Sequence, residues 1–322
     1  MSRPKLLVTR KVFPEVIEHL RTLFEVQPNP EDVIWSPQEL RQRAADADAL
    51  YVVASDKVDE ALLDACPRLR MIATGSVGYN HIDLAACNRR GLIVTNTPDV
   101  LTEATADMAF ALLMATARRI TESERWLREG KWQGWAWDQF LGADVFGATL
   151  GIIGMGRIGS AIARRGRGFS MKLLYANRSA ASNEAELGAV RVSREELLAQ
   201  ADHVILVLPY SAQTHHTIGA AELALMKPTA TLVNIARGGI VDDEALAAAL
   251  RERRIAAAGL DVFENEPAIS ASLLGLDNIV MTPHIGSATR SSRMAMAMLA
   301  ARNLTAVFGG GAPLSPVAAP AA

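Results

Sequence analysis

Cysteine is nearly absent from this sequence, which has only Cys66 and Cys87 among its 322 residues. Two isolated cysteines exclude a disulfide framework and a cysteine-based zinc site, and they are typical of a protein in a reducing compartment. Neither sign of charge is in large excess, because the formal net charge is only −2 at pH 7. This balance gives no electrostatic reason to expect a nucleic acid or an anionic membrane as a partner.

Long apolar runs are missing as well. The chain enters a short apolar strand at Leu6 without the apolar segment of roughly 7–15 residues that marks a signal peptide. The longest apolar-rich stretch, residues 104–117, contains Asp107 and is too short to cross a bilayer. We therefore expect a cytoplasmic protein with no membrane partner.

Short β-branched runs alternate with helical patterns along most of the chain. This alternation is typical of βαβ units with parallel sheets, and the length predicts two domains. In the first part, the pattern predicts the strands of a small flavodoxin-like sheet over residues 5–9, 49–54, 69–74 and 92–96. From residue 149 onward, six strands predict a doubly wound dinucleotide fold, over residues 149–153, 172–176, 203–208, 230–235, 256–261 and 279–282.

Four further segments complete the pattern. An apolar helix is predicted over 103–119, followed by an irregular stretch with four tryptophans, Trp126, Trp132, Trp135 and Trp137. So many aromatic side chains in one loop indicate a packing surface, and a second subunit is the partner we expect. A helix over 291–308 follows the sixth strand, and the Gly-, Ala- and Pro-rich tail 309–322 is expected to be loosely packed or disordered.

The most specific local motif is a glycine fingerprint formed by Gly154, Gly156 and Gly159. It follows an apolar strand and precedes a helix, as in dinucleotide-binding folds. The first glycine permits a tight turn, the second lets a pyrophosphate approach the backbone, and the third allows close helix–strand packing. The helix N-terminus then offers unpaired N–H groups to phosphates. The motif predicts a nicotinamide dinucleotide site.

The end of the second strand of this domain indicates which cofactor fits. NAD sites usually have an acidic residue there, which accepts hydrogen bonds from the ribose 2′-hydroxyl. This chain has Asn177, Arg178 and Ser179 instead, so no carboxylate would repel a 2′-phosphate. The guanidinium of Arg178 matches a phosphate. The sequence thus predicts NADPH, with NADH as a weaker alternative.

Charged side chains follow three later strands. Arg237 comes at the end of one strand, Asp261 and then Glu266 follow the next, and His284 follows the last. Because the carboxyl ends of parallel strands lie at one edge of a sheet, we expect these side chains to meet. Each residue alone also has a structural explanation, as a core histidine, a helix cap or a turn residue. Glu264 remains an alternative to Glu266.

With these motifs in order, the chain resembles the D-isomer-specific 2-hydroxyacid dehydrogenases over essentially its whole length. Within that family it is most similar to the glyoxylate/hydroxypyruvate reductases and the 2-ketogluconate reductases. The matching stretches are the glycine fingerprint and residues 75–83, 234–239, 260–267 and 283–288.

The resemblance implies catalytic roles that agree with the residue types. Arg237 would hold the 2-keto acid through its carbonyl and carboxylate oxygens. A protonated His284 would donate a proton to the carbonyl oxygen while NADPH delivers hydride to the carbon. Glu266 would accept a hydrogen bond from the imidazole and stabilise its charged form. No metal is needed for this chemistry, and the sequence around His215 and His216 does not indicate one.

The resemblance also implies binding residues and an architecture. The backbone N–H groups of Val77 and Gly78 would bind the substrate carboxylate, and Tyr51 would meet the substrate tail. Asp261 would help to seat the nicotinamide. The remaining cofactor contacts would be Thr105, Arg157, Ile158, Leu208, Pro209, Thr214, Ile235, Ala236 and His284. The cofactor domain (100–287) would be inserted into the substrate domain (1–99 with 288–322), and the protein would be a homodimer.

Two other readings stay open at this point. Some non-enzymatic NAD(H)-sensing corepressors share this fold, although they are expected to lack a complete catalytic set. Other members of the family, such as D-lactate, formate or 3-phosphoglycerate dehydrogenase, act on different substrates. The sequence alone leaves the physiological 2-keto acid undetermined.

Overall fold

The computed structural model describes residues 3–317, and the chain divides into two compact α/β units. Unit 1 comprises Met1–Leu101 with Thr289–Ala322, and unit 2 comprises Thr102–Ala288. Each unit is built on a parallel sheet with helices on both faces. The predicted class, two doubly wound α/β domains, is confirmed.

Unit 1 has a sheet in the order β2-β1-β3-β4-β5, with all neighbouring strands parallel. Its described elements are β1 (Lys5–Val8), α1 (Pro14–Arg21), β2 (Glu25–Gln27), α2 (Pro37–Ala44), β3 (Ala49–Val52), α3 (Glu60–Asp64), β4 (Met71–Thr74), α4 (Leu84–Arg89), β5 (Ile93–Thr95) and the last helix of the chain, α13 (Arg290–Phe308). Helix α13 packs against α1, β3 and β4, so the C-terminal segment returns to the N-terminal unit.

Alternation along the buried strands fills both faces of this sheet. In β3, Leu50 belongs to one hydrophobic cluster and Tyr51 to the cluster on the opposite face. Helix α2 begins at a capping box, in which Ser36 Oγ accepts a hydrogen bond from the Glu39 N–H, and the Glu39 carboxylate accepts one from the Ser36 N–H at 2.8 Å. Pro37 occupies the first helical position, as its fixed φ favours.

The C-terminal segment is better packed than its composition predicts. The Val317 N–H donates to the Val94 carbonyl at 2.8 Å, and Ser315 Oγ donates to the Asn96 carbonyl at 2.7 Å. The Asn303 side chain accepts hydrogen bonds from the backbone of residues 314 and 315. The expectation of a loose tail is therefore wrong for residues 309–317, and residues 318–322 lie outside the described part of the chain.

Unit 2 has a seven-stranded parallel sheet in the order β12-β11-β10-β9-β6-β7-β8. Its described elements are α5 (Thr102–Ala117), α6 (Ile120–Arg128), β6 (Thr149–Ile153), α7 (Arg157–Gly168), β7 (Lys172–Ala176), α8 (Glu184–Leu187), β8 (Ala189–Arg191), α9 (Arg194–Gln200), β9 (His203–Leu206), α10 (Ala220–Leu225), β10 (Thr231–Asn234), α11 (Asp243–Arg251), β11 (Ala257–Leu260), α12 (Ala271–Leu274) and β12 (Ile279–Met281). The strand order reverses at β6, which lies between β7 and β9. A crevice at such a reversal is where open α/β sheets bind ligands.

All six strands predicted for this unit are present, with ends within two residues of the expected ones. Two elements were missed. The edge strand β8 has only three residues, too few to show a period. Helix α6 was expected to be irregular, and it begins after Arg119, whose positive φ of 54° separates it from α5. None of the described helices combines the length and apolar character that a membrane span requires.

Candidate active site

Two glycines of the fingerprint, Gly154 and Gly159, stand where no larger residue fits. Gly154 has φ of 107°, and a Cβ there would lie 2.6 Å from the carbonyl oxygen of Val207. A Cβ on Gly159 would lie 2.2 Å from the Gly154 carbonyl oxygen, which explains the close helix–strand packing. Nothing lies within 4 Å of the place where a Cβ of Gly156 would stand. That open space is what a pyrophosphate needs in order to approach the backbone.

Helix α7 begins directly at this open space. Gly156 is its N-cap residue and has no side chain to cap the first turn, whose first residues are Arg157 and Ile158. The N–H groups of a first helical turn have no partner within the helix, and the helix dipole adds positive potential there. These residues can therefore hold the phosphates of a dinucleotide.

The turn after β7 is fixed by polar contacts. Asn177 Oδ1 accepts a hydrogen bond from the Met155 N–H at 2.7 Å, which ties this turn to the glycine loop. Ser179 is exposed. Arg178 is also exposed, and within residues 3–317 its guanidinium makes no hydrogen bond or ion pair. The structure therefore leaves the Arg178 guanidinium available to an anionic ligand.

A second arginine lies at the same turn and was missed by the sequence analysis. Arg191, on the edge strand β8, donates from Nη2 to the carbonyl oxygens of Asn177 at 3.0 Å and Arg178 at 2.7 Å. Its guanidinium thus supports the turn and adds positive charge beside Arg178. Nothing in the sequence marks it, because it lies 13 residues from Arg178 on a strand too short to predict.

The centre of the predicted catalytic set is a hydrogen bond between His284 and Glu266. The distance from His284 Nδ1 to Glu266 Oε2 is 2.8 Å, and Glu266 Oε1 accepts a hydrogen bond from the Phe263 N–H at 2.9 Å. Burial would raise the pKa of Glu266, but the hydrogen bond and charge of His284, the Phe263 N–H and the charge of Arg237 together lower it. Glu266 is therefore an anion at neutral pH, and its stabilising contribution is lost as the pH falls through its folded-state pKa.

Arg237 completes this set from the end of β10. Asn234 shapes its turn, because the side-chain amide donates to the Arg237 carbonyl at 3.0 Å and accepts from the Ala236 N–H at 3.1 Å. Burial lowers the pKa of Arg237, and the charge of Glu266 opposes this effect. Glu266 thus interacts with both His284 and Arg237, so the structure brings the three predicted catalytic side chains of unit 2 together.

The loop that carries His284 is held by a buried carboxylate. Asp261 is only 1% exposed, and its oxygens accept hydrogen bonds from Thr282 Oγ1 at 2.6 Å, the Ile285 N–H at 2.8 Å and the Gly286 N–H at 2.7 Å. His284 itself has a positive φ of 53°, a conformation that costs energy in a non-glycine residue. The structure therefore shows Asp261 positioning the loop, and its contact with a nicotinamide stays a prediction.

The loop after β4 in unit 1 has the form of an anion-binding backbone. Its carbonyls are engaged: Thr97 N–H donates to Ser76 O at 3.1 Å, Asn96 Nδ2 to Val77 O at 2.8 Å, and Ser76 Oγ to Gly78 O at 2.7 Å. Among the described residues, no acceptor pairs with the N–H groups of Val77 and Gly78. These two donors are the ones predicted to bind a carboxylate.

Tyr51 is not available for the role predicted for it. It is 2% exposed in the core of unit 1, and its hydroxyl donates to the Ala297 carbonyl at 3.2 Å. Burial raises the pKa of its phenol. A Cβ on Gly75 would lie 3.2 Å from its ring, so Tyr51 packs beneath the start of the β4 loop. The expectation that it contacts the substrate tail is corrected to a supporting role in the core.

The other predicted cofactor residues occupy two kinds of position. Leu208 and Pro209 follow β9, and Thr214 closes their loop by accepting a hydrogen bond from the Ser211 N–H at 2.7 Å. Three more are almost completely buried within unit 2, namely Thr105, Ile235 and Ala236. A contact of these three with a cofactor stays a prediction, and for Ile235 and Ala236 it would have to involve mainly the backbone.

Comparisons with known proteins decide the family. Residues 110–286 match the model of the D-isomer specific 2-hydroxyacid dehydrogenase NAD-binding domain. The glyoxylate reductase of Thermococcus onnurineus is 50% identical over 316 residues, which cover 97% of this chain and 95% of that protein. The chain belongs to the D-isomer-specific 2-hydroxyacid dehydrogenases.

Solved structures of this dehydrogenase family agree with the fold. A D-isomer specific 2-hydroxyacid dehydrogenase from Polaromonas superposes with a TM-score of 0.91 at 39% identity, over 98% of this chain and all of that one. The NADPH-dependent glyoxylate/hydroxypyruvate reductase of Sinorhizobium meliloti, solved with NADP and malonate, gives 0.87 at 38% identity, over 98% of this chain and 97% of that one. The segment matched to the dehydrogenase family model contains the glycine fingerprint, Arg237, Asp261, Glu266 and His284.

The buried carboxylate of this dehydrogenase gives a first prediction. In Asp261→Asn, the amide nitrogen cannot accept a hydrogen bond, so one loop N–H loses its partner and stability falls by about 1–3 kcal/mol. Because the loop carries His284, kcat should also fall at temperatures well below the Tm, where the variant is still folded. Asp138→Asn, at an exposed position of the same unit, is the matched control. An Asp261→Asn protein with unchanged Tm and kcat would contradict the positioning role.

Proposed function

We propose that this dehydrogenase reduces glyoxylate and hydroxypyruvate to D-2-hydroxy acids with hydride from NADPH, and that 2-ketogluconate is a further candidate substrate. The observation that carries the proposal is the 2.8 Å contact between His284 and Glu266, with Arg237 close enough to interact with the same carboxylate. The identity of about half with a glyoxylate reductase supports this choice of substrate class.

The chemistry follows from the charges of these three side chains. Arg237 binds the keto-acid carbonyl oxygen and polarises it, because a guanidinium donates two parallel hydrogen bonds to neighbouring oxygens. His284 in its imidazolium form donates a proton to that oxygen as negative charge develops on it. Glu266 stabilises the imidazolium through Nδ1, which leaves Nε2 as the donor. Bound NADPH supplies the hydride to the carbonyl carbon.

The substrate carboxylate needs its own recognition site. The N–H groups of Val77 and Gly78 are suited to it, because two backbone donors without a partner among the described residues favour an anion. Small 2-keto acids share this carboxylate, so we assign its recognition to this loop. The tail of the substrate then determines the preference among them.

The preference for NADPH rests on the turn after β7. Arg178 is available there, Arg191 adds a second guanidinium, and no acidic side chain occupies positions 177–179. Two guanidinium groups attract a 2′-phosphate and gain little from a 2′-hydroxyl. The Sinorhizobium meliloti relative, which is NADPH-dependent, gives independent support.

We further propose a cytoplasmic homodimer. Cys66 and Cys87 are both buried free thiols whose pKa burial raises to about 11, as suits a reducing compartment. Large apolar side chains are exposed on α6 and the segment that follows it, namely Ile120, Leu127, Trp132, Trp135, Trp137, Leu141 and Phe146. A monomer seldom exposes so many large apolar groups in one segment, so a second copy is the partner we expect.

The charge of Glu266 should set the pH dependence of reduction. Glu266→Gln keeps the shape but removes the anion that stabilises the imidazolium, so the reactive form is lost at lower pH. The alkaline limb of the kcat/KM profile for glyoxylate should therefore move to lower pH. An unshifted profile would contradict the role of Glu266.

A companion variant tests the proton donor itself. His284→Ala should lose about 10²–10⁴-fold in turnover. It should keep its affinity for NADPH, measured by nicotinamide fluorescence. His19→Ala, which removes a histidine bonded to Thr305 in unit 1, is the matched control. Turnover by His284→Ala at the wild-type rate would overturn the mechanism.

The choice of cofactor should depend on Arg178. Arg178→Ala removes a charged contact worth about 1.5–3 kcal/mol, so the KM for NADPH should rise roughly 10- to 100-fold. The KM for NADH should change little. Arg118→Ala, at an exposed arginine of unit 2, provides the control. Equal losses with both cofactors would remove the phosphate-binding role.

The oligomeric state can be measured directly. Sedimentation velocity at micromolar concentration should give a single species with the mass of two chains. Trp137→Ser, at a side chain that is 86% exposed, should weaken this dimer without unfolding the subunit. A wild-type protein that sediments as a monomer would refute the dimer.

A further inference from the structure

Two histidines and a glutamate meet on unit 2 outside the catalytic set. His215 and His216 lie between β9 and α10, and their rings stack with centroids 3.8 Å apart. Glu264 follows β11, and its Oε1 lies 3.1 Å from His216 Nε2 and 3.9 Å from His215 Nε2. One ligand atom from each residue can be chosen so that all lie within 4.8 Å of one another.

We propose that His215, His216 and Glu264 bind one divalent transition-metal ion of the Zn²⁺ class. Imidazole nitrogen and carboxylate oxygen are the donors that such ions take from proteins, at about 2.0–2.1 Å. Two ligand atoms at a tetrahedral angle around such an ion are about 3.3 Å apart. The distances from Glu264 Oε1 to Nε2 of His216 and of His215, 3.1 and 3.9 Å, lie on either side of that value. Because the two rings are stacked 3.8 Å apart, the exposed His215 ring would have to rotate out of this stack so that both Nε2 lone pairs point at one ion.

The surroundings of the two imidazoles support this assignment. The ring nitrogen that does not ligate a metal is usually hydrogen-bonded to an outer group. His215 Nδ1 is within hydrogen-bond distance of Tyr210 Oη, at 3.2 Å, whereas His216 Nδ1 lies 3.8 Å from Asp242 Oδ2, which is too long for a direct hydrogen bond. With neutral imidazoles, the Glu264 and Asp242 carboxylates together balance the charge of a divalent ion.

The sequence could not indicate this cluster, because its carboxylate comes from 48 residues farther along the chain than His216. The fold joins the two segments through the loop after Arg237. The His216 N–H donates to the Gly239 carbonyl at 2.7 Å, and a Cβ on Gly239 would lie 3.3 Å from His215 Nδ1.

The ion would therefore brace the catalytic loops without taking part in the chemistry. Gly239 lies two residues after Arg237, and Glu264 lies two residues before Glu266. A ligand that binds only the folded state raises its stability according to its concentration relative to Kd. Bound ion should thus raise the melting temperature of unit 2.

The test uses untagged full-length protein, freed of metal with a chelator and then titrated with Zn²⁺ and Co²⁺. Calorimetry should give one Zn²⁺ per chain, and Co²⁺ should produce the visible absorption of a site with nitrogen and oxygen ligands. His215→Ala should bind at least about 10-fold more weakly. His19→Ala, with a histidine of unit 1 removed, should bind like the wild type.

Other outcomes would overturn the proposal. One is the absence of saturable Zn²⁺ binding by the wild-type chain. The other is an equal affinity for Zn²⁺ in the wild type and in His215→Ala. Glu264→Gln gives a second check, because Zn²⁺ should raise the Tm of the wild type and leave the Tm of this variant unchanged. These readouts do not require turnover. A protein that binds Zn²⁺ but does not reduce glyoxylate would support this site and count against the proposed function.

Discussion

The carboxylate of Asp261 is the constraint on which the site depends. A carboxylate that is 1% exposed is costly unless its oxygens are hydrogen-bonded, and here two N–H groups and one hydroxyl of a single loop satisfy it. If the loop left this arrangement, the buried carboxylate would lose these three hydrogen-bond donors. This is the physical reason why His284 keeps a left-handed backbone, and why its ring lies where Glu266 can accept its hydrogen bond.

Glu266 supplies the negative charge beside His284 and Arg237. Its carboxylate is hydrogen-bonded to His284 and lies close enough to Arg237 for both residues to lower its pKa. Its own backbone segment is closed by the hydrogen bond from Phe263. The same short segment carries Glu264, which faces two further histidines. Two glutamates of one loop, Glu264 and Glu266, thus contact different histidines.

Sheet topology explains how residues so far apart in sequence come together. Strands β10, β11 and β12 are neighbours and run parallel, so their carboxyl ends lie at one edge. Arg237, Asp261 and His284 each follow one of these ends. The glycine loop follows β6, at the place where the strand order reverses, and the turn with Asn177, Arg178 and Ser179 follows β7. The glycine loop, this turn and the three predicted catalytic side chains of unit 2 therefore come from a single edge of the unit 2 sheet.

Local signals in the sequence were sufficient for the buried part of this architecture. Central parallel strands appear in the sequence as continuous apolar runs. The glycine fingerprint is required wherever a strand, a tight turn and a helix follow one another around a pyrophosphate. Residues that directly follow the strands lie at the sheet edge where open α/β folds bind ligands. These regularities allowed the sheet of unit 2 and the grouping of Arg237, Glu266 and His284 to be predicted.

Tertiary structure decided everything that depends on contacts between distant segments. Burial of Tyr51 follows from the position of α13, which arrives about 250 residues later along the chain. Arg191 reaches the turn after β7 from an edge strand too short to show a period, and residues 316 and 317 are fixed by pairing with β5. The carboxylate beside His215 and His216 comes from a different strand end. A hydrogen bond or an ion pair across such a separation leaves no periodic trace in the sequence, because either partner alone looks like an ordinary surface residue.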